Sequence, residues 1–279
     1  YLVTSEDGLW HRSYTVNITP VARTVVDTIK YDFENFELEQ REHKYYIWHN
    51  EKGDGSFGND WANGNPGFRI SRGSFPPEDY PTVPLADGFD GHGVKLTTSD
   101  PGPIAHLVNK RIAAGNLFLG SFDVTNALTD ALSSTHFGIP FDRKPTMLKG
   151  YYKYKPGQTY QDRNGRPVSG QTDQGSIYAV FYKNHDNAGN GVMLDGTNIK
   201  TSPQVIAIAD MGFVAPTDSW TEFTIPFNYT GTVDLDALQS LRYNLTVVFS
   251  SSLKGDQFEG AIGSTLCIDK VRIVCEKEQ

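Results

Sequence analysis

The sequence predicts an all-β sandwich, and three observations carry that expectation. The composition is rich in Gly (27), Pro (15), Phe (16) and Tyr (14), with only three Met, which suits many short strands joined by tight turns. Apolar and polar residues alternate with period two in a series of short runs. No regular succession of strand and helix patterns occurs of the kind that builds a parallel sheet.

Residues 1–19, "YLVTSEDGLWHRSYTVNIT", read as a hairpin: "YLVT" and "SYTVNIT" alternate, and "EDG" supplies the turn. Two strands alone are marginal in water, so this hairpin belongs to another domain or docks on the rest. "PVARTVVDTIK" follows as a linker strand. The division expected is residues 1–28 for hairpin and linker and residues 29–279 for the main domain.

From residue 31 the strand candidates are "YDFENFEL", "YYIWHN", "FRISRG", "GHGVKLTT", "NLFLGSFDV", "LKGYYKYK", "SIYAVFYKN", "QVIAIAD", "TEFTIPF", "RYNLTVVFSS" and "STLCIDKVRIV". The run before Pro156-Gly157 shows the pattern most plainly. Leu148, Gly150, Tyr152 and Tyr154 share one side, which suits a packed face. Met147, Lys149, Tyr151, Lys153 and Lys155 share the other, wet side. Pro156-Gly157 then ends the strand. One short helix is expected in "VTNALTDALSST", residues 124–135, with Thr125 as a candidate N-cap.

The totals exclude several functions. A net charge of -8 with pI near 5.3 argues against wrapping nucleic acid, which needs a basic stripe. No apolar run is long enough to span a membrane. The chain opens on Tyr1 rather than Met, so we expect a processed chain or a piece of a longer one. Cys267 and Cys275 lie in one strand-like run, where eight steps at about 3.3 Å separate them by roughly 26 Å. A disulfide needs Cα atoms within about 7 Å, so both read as free thiols.

Local motifs are weak. "GDGSFG" fits G-x-G-x-x-G but has a polar stretch before it and no helix pattern after it, so it reads as a loop. Asp54, Asp60 and Asn63 lack the closing bidentate glutamate of a helix–loop–helix calcium site. The seven histidines show no paired metal-ligand spacing, and no nucleophile elbow occurs. Carboxylates at Asp32, Glu34, Glu37, Glu39, Asp210 and Glu222 are candidates for the pair a glycosidase needs. The sequence does not say which two face each other.

Aromatic residues near loops point further. A sugar ring presents a C–H face that suits an aromatic ring flanked by amides and carboxylates. Trp48 and Trp61 flank the Gly/Asn-rich loop that begins at residue 51, where strands end and loops carry function. With Asp60, Asn63 and the wet-face Tyr151, they are the candidate carbohydrate-binding residues. The competing reading is that these rings fill the sandwich core.

The segments "YDFENFE", "WANGNPGF", "YPTV", "GVKLTT", "KRIAAGNLFLGSF", "LKGYYKYKPG" and "IGSTLCIDKVRI" together resemble the putative carbohydrate metabolism domain, over roughly residues 29–276. That family occurs on surface proteins of polysaccharide-degrading gut bacteria. The resemblance implies a jelly-roll β-sandwich similar to carbohydrate-binding modules. The opening "VTSEDGLWHRSYTV" resembles the last two strands of a bacterial immunoglobulin-like repeat. By similarity to jelly-roll modules in general, a structural calcium is expected between Glu34 of "DFEN" and Asp269 of "CIDKV". First and last strands often lie side by side, and two carboxylates meeting there repel unless a hard cation joins them. The chain departs from the usual double aspartate by having Lys270 after Asp269, and that lysine could neutralise the pair instead.

The function expected from all this is a non-catalytic module that recognises a polysaccharide or oligosaccharide. Its expected place is the outer surface or periplasm of a Gram-negative bacterium, lipid-anchored, beside an immunoglobulin-like domain. The rivals are a glycoside hydrolase or lyase using a pair such as Glu34/Glu37 or one including Glu222, and an adhesion or scaffold module with a flat apolar patch.

Overall fold

The computed structural model describes residues 2–13, 15, 28–51, 56–125, 127 and 129–276. Ten longer strands build a jelly-roll sandwich: β1 (Thr28–Tyr31), β2 (Thr82–Leu85), β3 (Gly93–Thr97), β4 (Asn116–Phe122), β5 (Pro145–Lys155), β6 (Ser176–Lys183), β7 (Val205–Asp210), β8 (Thr217–Pro226), β9 (Tyr243–Ser250) and β10 (Thr265–Cys275). All the pairings are antiparallel. The first sheet runs β8-β5-β10-β3-β2, and β1 pairs with the C-terminal half of β10. The second runs β4-β9-β6-β7. Short strands extend it: Trp61–Ala62 and Thr135–Phe137 on β4, Ile139–Pro140 on β9, and Asn228–Tyr229 on β7.

The alternation in β5 decides which face packs. Leu148, Tyr152 and Tyr154 are buried, while Met147 and Lys155 are exposed and Lys149, Tyr151 and Lys153 half-exposed. On β10, Ile273, Ile268 and Leu266 sit opposite those three buried residues and share their face. Across the sandwich this face meets Ile177, Ala179 and Phe181 of β6 and Leu245, Val247 and Phe249 of β9 in one continuous core. Facing sheets bury their inner residues in this way at a spacing of about 10 Å.

The second sheet is covered on its outer side as well. Phe118, Tyr178, Val180, Tyr182 and Val248 point outward and pack with Phe137, Leu194 and Ile199. That is why β6 reads as an unbroken apolar run from Ile177 to Tyr182 rather than an alternating one, while β9 keeps Asn244 and Thr246 on its outer side. Polar residues on the buried outer face are satisfied: Asn244 Nδ2 donates to the Tyr182 hydroxyl at 3.0 Å and Thr246 Oγ1 to the Leu119 carbonyl at 2.8 Å.

Helices differ from expectation in place and number. The described residues of 124–135 form turns before the Thr135–Phe137 strand. Their short polar side chains compete for the backbone. Asp123 Oδ1 accepts the Thr125 N–H at 2.8 Å and Asp130 Oδ1 the Ser133 N–H at 3.2 Å, the behaviour that disfavours helix interiors. Instead α1 (Asn65–Arg72) forms where "FRISRG" suggests a strand. Pro66 presets its first turn, and Asn65 anchors it by a reciprocal pair with Thr82, at 2.7 and 3.1 Å. Two five-residue helices follow, α2 (Pro103–Leu107) and α3 (Leu235–Gln239).

The N-terminal hairpin is present: Leu2–Thr4 pairs with His11–Ser13 through a turn in which Gly8 has φ +70°. Both its strands are exposed throughout. Tyr14 and residues 16–19 of the expected second strand, with residues 20–27 of the linker, lie outside the described residues. Cys267 and Cys275 are thiols outside any disulfide, as expected.

Candidate functional site

The outer face of the second sheet floors a cavity of about 390 Å³, within the range of small-ligand sites. Register explains its floor. Asn116, Ser250 and Ser176 lie opposite one another on β4, β9 and β6 and form a polar row. Two residues along, Phe118, Val248 and Tyr178 form an apolar row that ends at Asp210 of β7. Walls rise from α1 with Phe68, from the 101–114 segment with Ala105 and Lys110, from the 196–201 loop with Lys200, and from the 252–258 loop with Asp256 and Phe258.

Three charged groups define the electrostatics. Lys200 Nζ lies 3.9 Å from the Tyr178 ring centroid and 2.7 Å from Asp210 Oδ2, so its charge is met. Lys110 Nζ donates to the Ala127 carbonyl at 2.7 Å and sits 5.0 Å over the Phe258 ring. Burial pushes its pKa down, against the pull of Asp130. Asp256 is exposed at the rim, yet desolvation by the surrounding protein raises its carboxyl pKa. Neighbouring backbone N–H groups and the charges of Lys200 and Lys254 offset part of that rise. Asp256 is the one carboxylate among the lining residues.

The residues singled out from the sequence lie elsewhere. Trp48 is 1% exposed and Trp61 5%, so neither can offer a ring face to a sugar. Trp61 packs edge-on to Tyr31 and stacked with Phe249. Asn63 is buried and caps the chain's approach to α1, its Oδ1 accepting the Asn65 N–H at 3.0 Å. Asp60 is half-buried beside it, its carbonyl accepting the Gly120 N–H at 2.8 Å. For both tryptophans the core reading wins. The polar loop around Trp61 hides its pairing with Leu119 on β4, a contact between distant segments.

Tyr151 is half-exposed on the outer face of the first sheet, on the opposite side of the sandwich from the cavity. It stacks on Phe89 with centroids 3.7 Å apart and planes 7° from parallel. Nearby, Lys153 Nζ lies 4.8 Å over the Trp220 ring. Of the residues that build the cavity, Tyr178, Phe118, Lys110, Lys200, Asp256 and Phe258 escaped the sequence reading. The one usable signal was the unbroken apolar run of β6, which requires cover on both faces.

Glu34 and Asp269 both reach the 88–92 turn beside β10. Glu34 Oε2 accepts the His92 N–H at 3.0 Å and lies 3.1 Å from His92 Nδ1. Asp269, fully buried, accepts the Asp90 N–H at 3.0 Å. Gly91, at φ +76°, has no room for a side chain against the Glu34 carboxylate. A bulge in β10 against β5 puts Lys270 at φ +48° and sends its ammonium among the acids. Nζ is 3.1 Å from Asp90, 3.6 Å from Asp32 and 3.6 Å from Glu34. Among the described residues no three His, Cys, Asp or Glu side chains converge as metal ligands. With these oxygens turned to N–H donors and an ammonium, the donor set does not fit a calcium ion.

Together these features define a β-sandwich module with a ligand-sized cavity on the outer face of one sheet. The chain belongs to the putative carbohydrate metabolism domain family, whose model matches residues 32–274. It is similar to a putative glycoside hydrolase from Bacteroides thetaiotaomicron, with 40% identity and a TM-score of 0.83 over 99% of this chain and 78% of that one. It is also similar to a putative glycoside hydrolase from Bacteroides vulgatus, with 37% identity and a TM-score of 0.81 over 88% of this chain and 98% of that one. No curated protein matches the chain significantly.

Proposed function

We propose that the chain is a carbohydrate-recognition module that holds a poly- or oligosaccharide in the cavity over β4, β9 and β6 without cutting it. The observation that carries this reading is the floor itself, an apolar row beside a polar row. Such a surface suits a sugar, whose ring face is apolar and whose rim is hydroxylated. Glycoside hydrolysis usually needs two carboxyl groups about 5–10 Å apart, and Asp256 is the single carboxylate among the lining residues. A broad glycan array, with new reducing ends measured in the same incubation, tests the reading. Binding without new ends supports it, and silence on the array overturns it.

A hydrolase is the second reading. It draws on the names of the two Bacteroides proteins and on the raised pKa of Asp256, which suits a proton donor. New reducing ends that disappear in Asp256→Asn would favour it.

We further propose that the hairpin at residues 2–13 ends an immunoglobulin-like unit, and that the whole sits lipid-anchored at the outer surface or in the periplasm of a Gram-negative cell. Protease treatment of intact cells tests the location: a protein degraded only after lysis is not on the outer surface.

A further inference from the structure

The cavity holds two ammonium groups that are treated differently. Lys200 has a carboxylate partner, Asp210, on the neighbouring strand. Lys110 has none within ion-pair distance among the described residues. Its acceptor is a neutral carbonyl, that of Ala127. An ammonium carries three donors, and a half-buried charge without a counter-charge is costly unless something completes it.

The backbone around Lys110 is arranged at a cost of its own. Asn109, just before it, has φ +57°, and Phe258, whose ring lies under the ammonium, has φ +60°. Left-handed backbone is cheap for asparagine but strained for phenylalanine, and strain of this kind clusters at ligand sites. The strained turn puts the Phe258 ring against the ammonium at the cavity wall.

Building on the recognition reading above, we propose that the cavity selects an acidic sugar, with the sugar's anionic group on Lys110 and its ring over Phe118, Val248 and Tyr178. The charges facing this corner allow it. Asp130 draws on Lys110 without being an ion-pair partner, and burial pushes the Lys110 pKa down against that pull. Asp256, in the same loop as Phe258, would repel an anion, but the charges of Lys200 and Lys254 act on it.

The test uses the full chain and three matched sets of oligosaccharides: uronate-containing chains, the same chains with their carboxyls reduced to alcohols, and sulfated neutral chains. We expect the uronate chains to bind about tenfold or more tighter than their reduced forms, as for a charge-assisted hydrogen bond in a sheltered site. That preference should shrink as salt rises from about 50 mM to about 500 mM. It should vanish in Lys110→Gln and survive in part in Lys110→Arg. Preference for sulfated over uronate chains would keep the anion site and change its source to a sulfate ester. Equal binding of acidic and reduced chains overturns the proposal and leaves recognition standing, whereas no binding of any chain overturns both. If Lys110→Gln does not fold, the reduced-chain and salt comparisons on the natural sequence still decide.

Discussion

Replacing Lys270 by Met removes the cation that joins the first strand, the 88–92 turn and the last strand. The carboxylates left behind face one another. Asp32 keeps Arg272, while Glu34 keeps His92 and Asp90 is 78% exposed. Partly exposed ion pairs contribute roughly 0.2–1 kcal/mol each, so three sharing one ammonium give at most about 2 kcal/mol after screening. For a domain of this size that lowers Tm by at most roughly 4–8 °C.

The pH dependence follows from the lysine. Burial lowers its pKa, but the hydrogen bond to Asp90 and the charges of Asp32, Asp269 and Asp90 outweigh that, and the net shift is upward. A raised folded pKa contributes stability that is fully present below the unfolded value near 10.5 and is lost as pH rises through the folded value. The difference in Tm between natural protein and Lys270→Met should therefore hold at neutral pH and close only as pH rises through the raised folded pKa of the lysine. Thermal unfolding followed by circular dichroism, with added calcium and again with a chelator, reads all of this. The natural protein should unfold at the same temperature in both solutions. An unchanged Tm in Lys270→Met, or a natural Tm that rises with calcium, refutes the reasoning.

Other perturbations have defined outcomes. Asp173 is buried, and its Oδ2 accepts from Ser252 Oγ at 2.6 Å, Ser264 Oγ at 2.7 Å and the Ala261 N–H at 2.8 Å. Asp173→Ala leaves these donors without their acceptor and should cost about 3 kcal/mol or more in denaturant unfolding; a loss below about 1 kcal/mol would mean that water replaces the carboxylate. Asp256→Asn should stabilise at neutral pH, because a carboxyl whose folded pKa is raised loses stability as pH rises through that value. The gain should fade toward about pH 4, where the unfolded carboxyl is also protonated, and a gain that grows toward acid contradicts the raised pKa. Tyr151→Ala separates the two faces of the sandwich. Glycan affinity should stay within about twofold, and a much larger loss would move the ligand to the Phe89–Tyr151 face.

Period-two alternation made β5 legible because one of its faces packs and the other is half-wet; the rule needs no knowledge of the partner strand. The same local logic misplaced Trp61. Its neighbours are Gly, Asn and Asp, which mark an exposed loop, but its burial comes from Leu119 and Phe249, far away in sequence. The expected helix at 124–135 gave way to turns, among the described residues, for a different reason: the Asp123 and Asp130 side chains took backbone N–H groups of Thr125 and Ser133. Lys270 was visible as a departure at the expected cation position, whereas its reach into the acids depends on a bulge that no residue pattern announces. The cavity was least legible of all. Phe118, Tyr178 and Val248 come together only through strand register, and Lys110 and Phe258 meet across its wall from separate loops. A binding surface assembled on the outer face of a doubly covered sheet leaves one trace in the chain, a strand with no polar side. In this protein that strand is β6, and it sits at the centre of the floor.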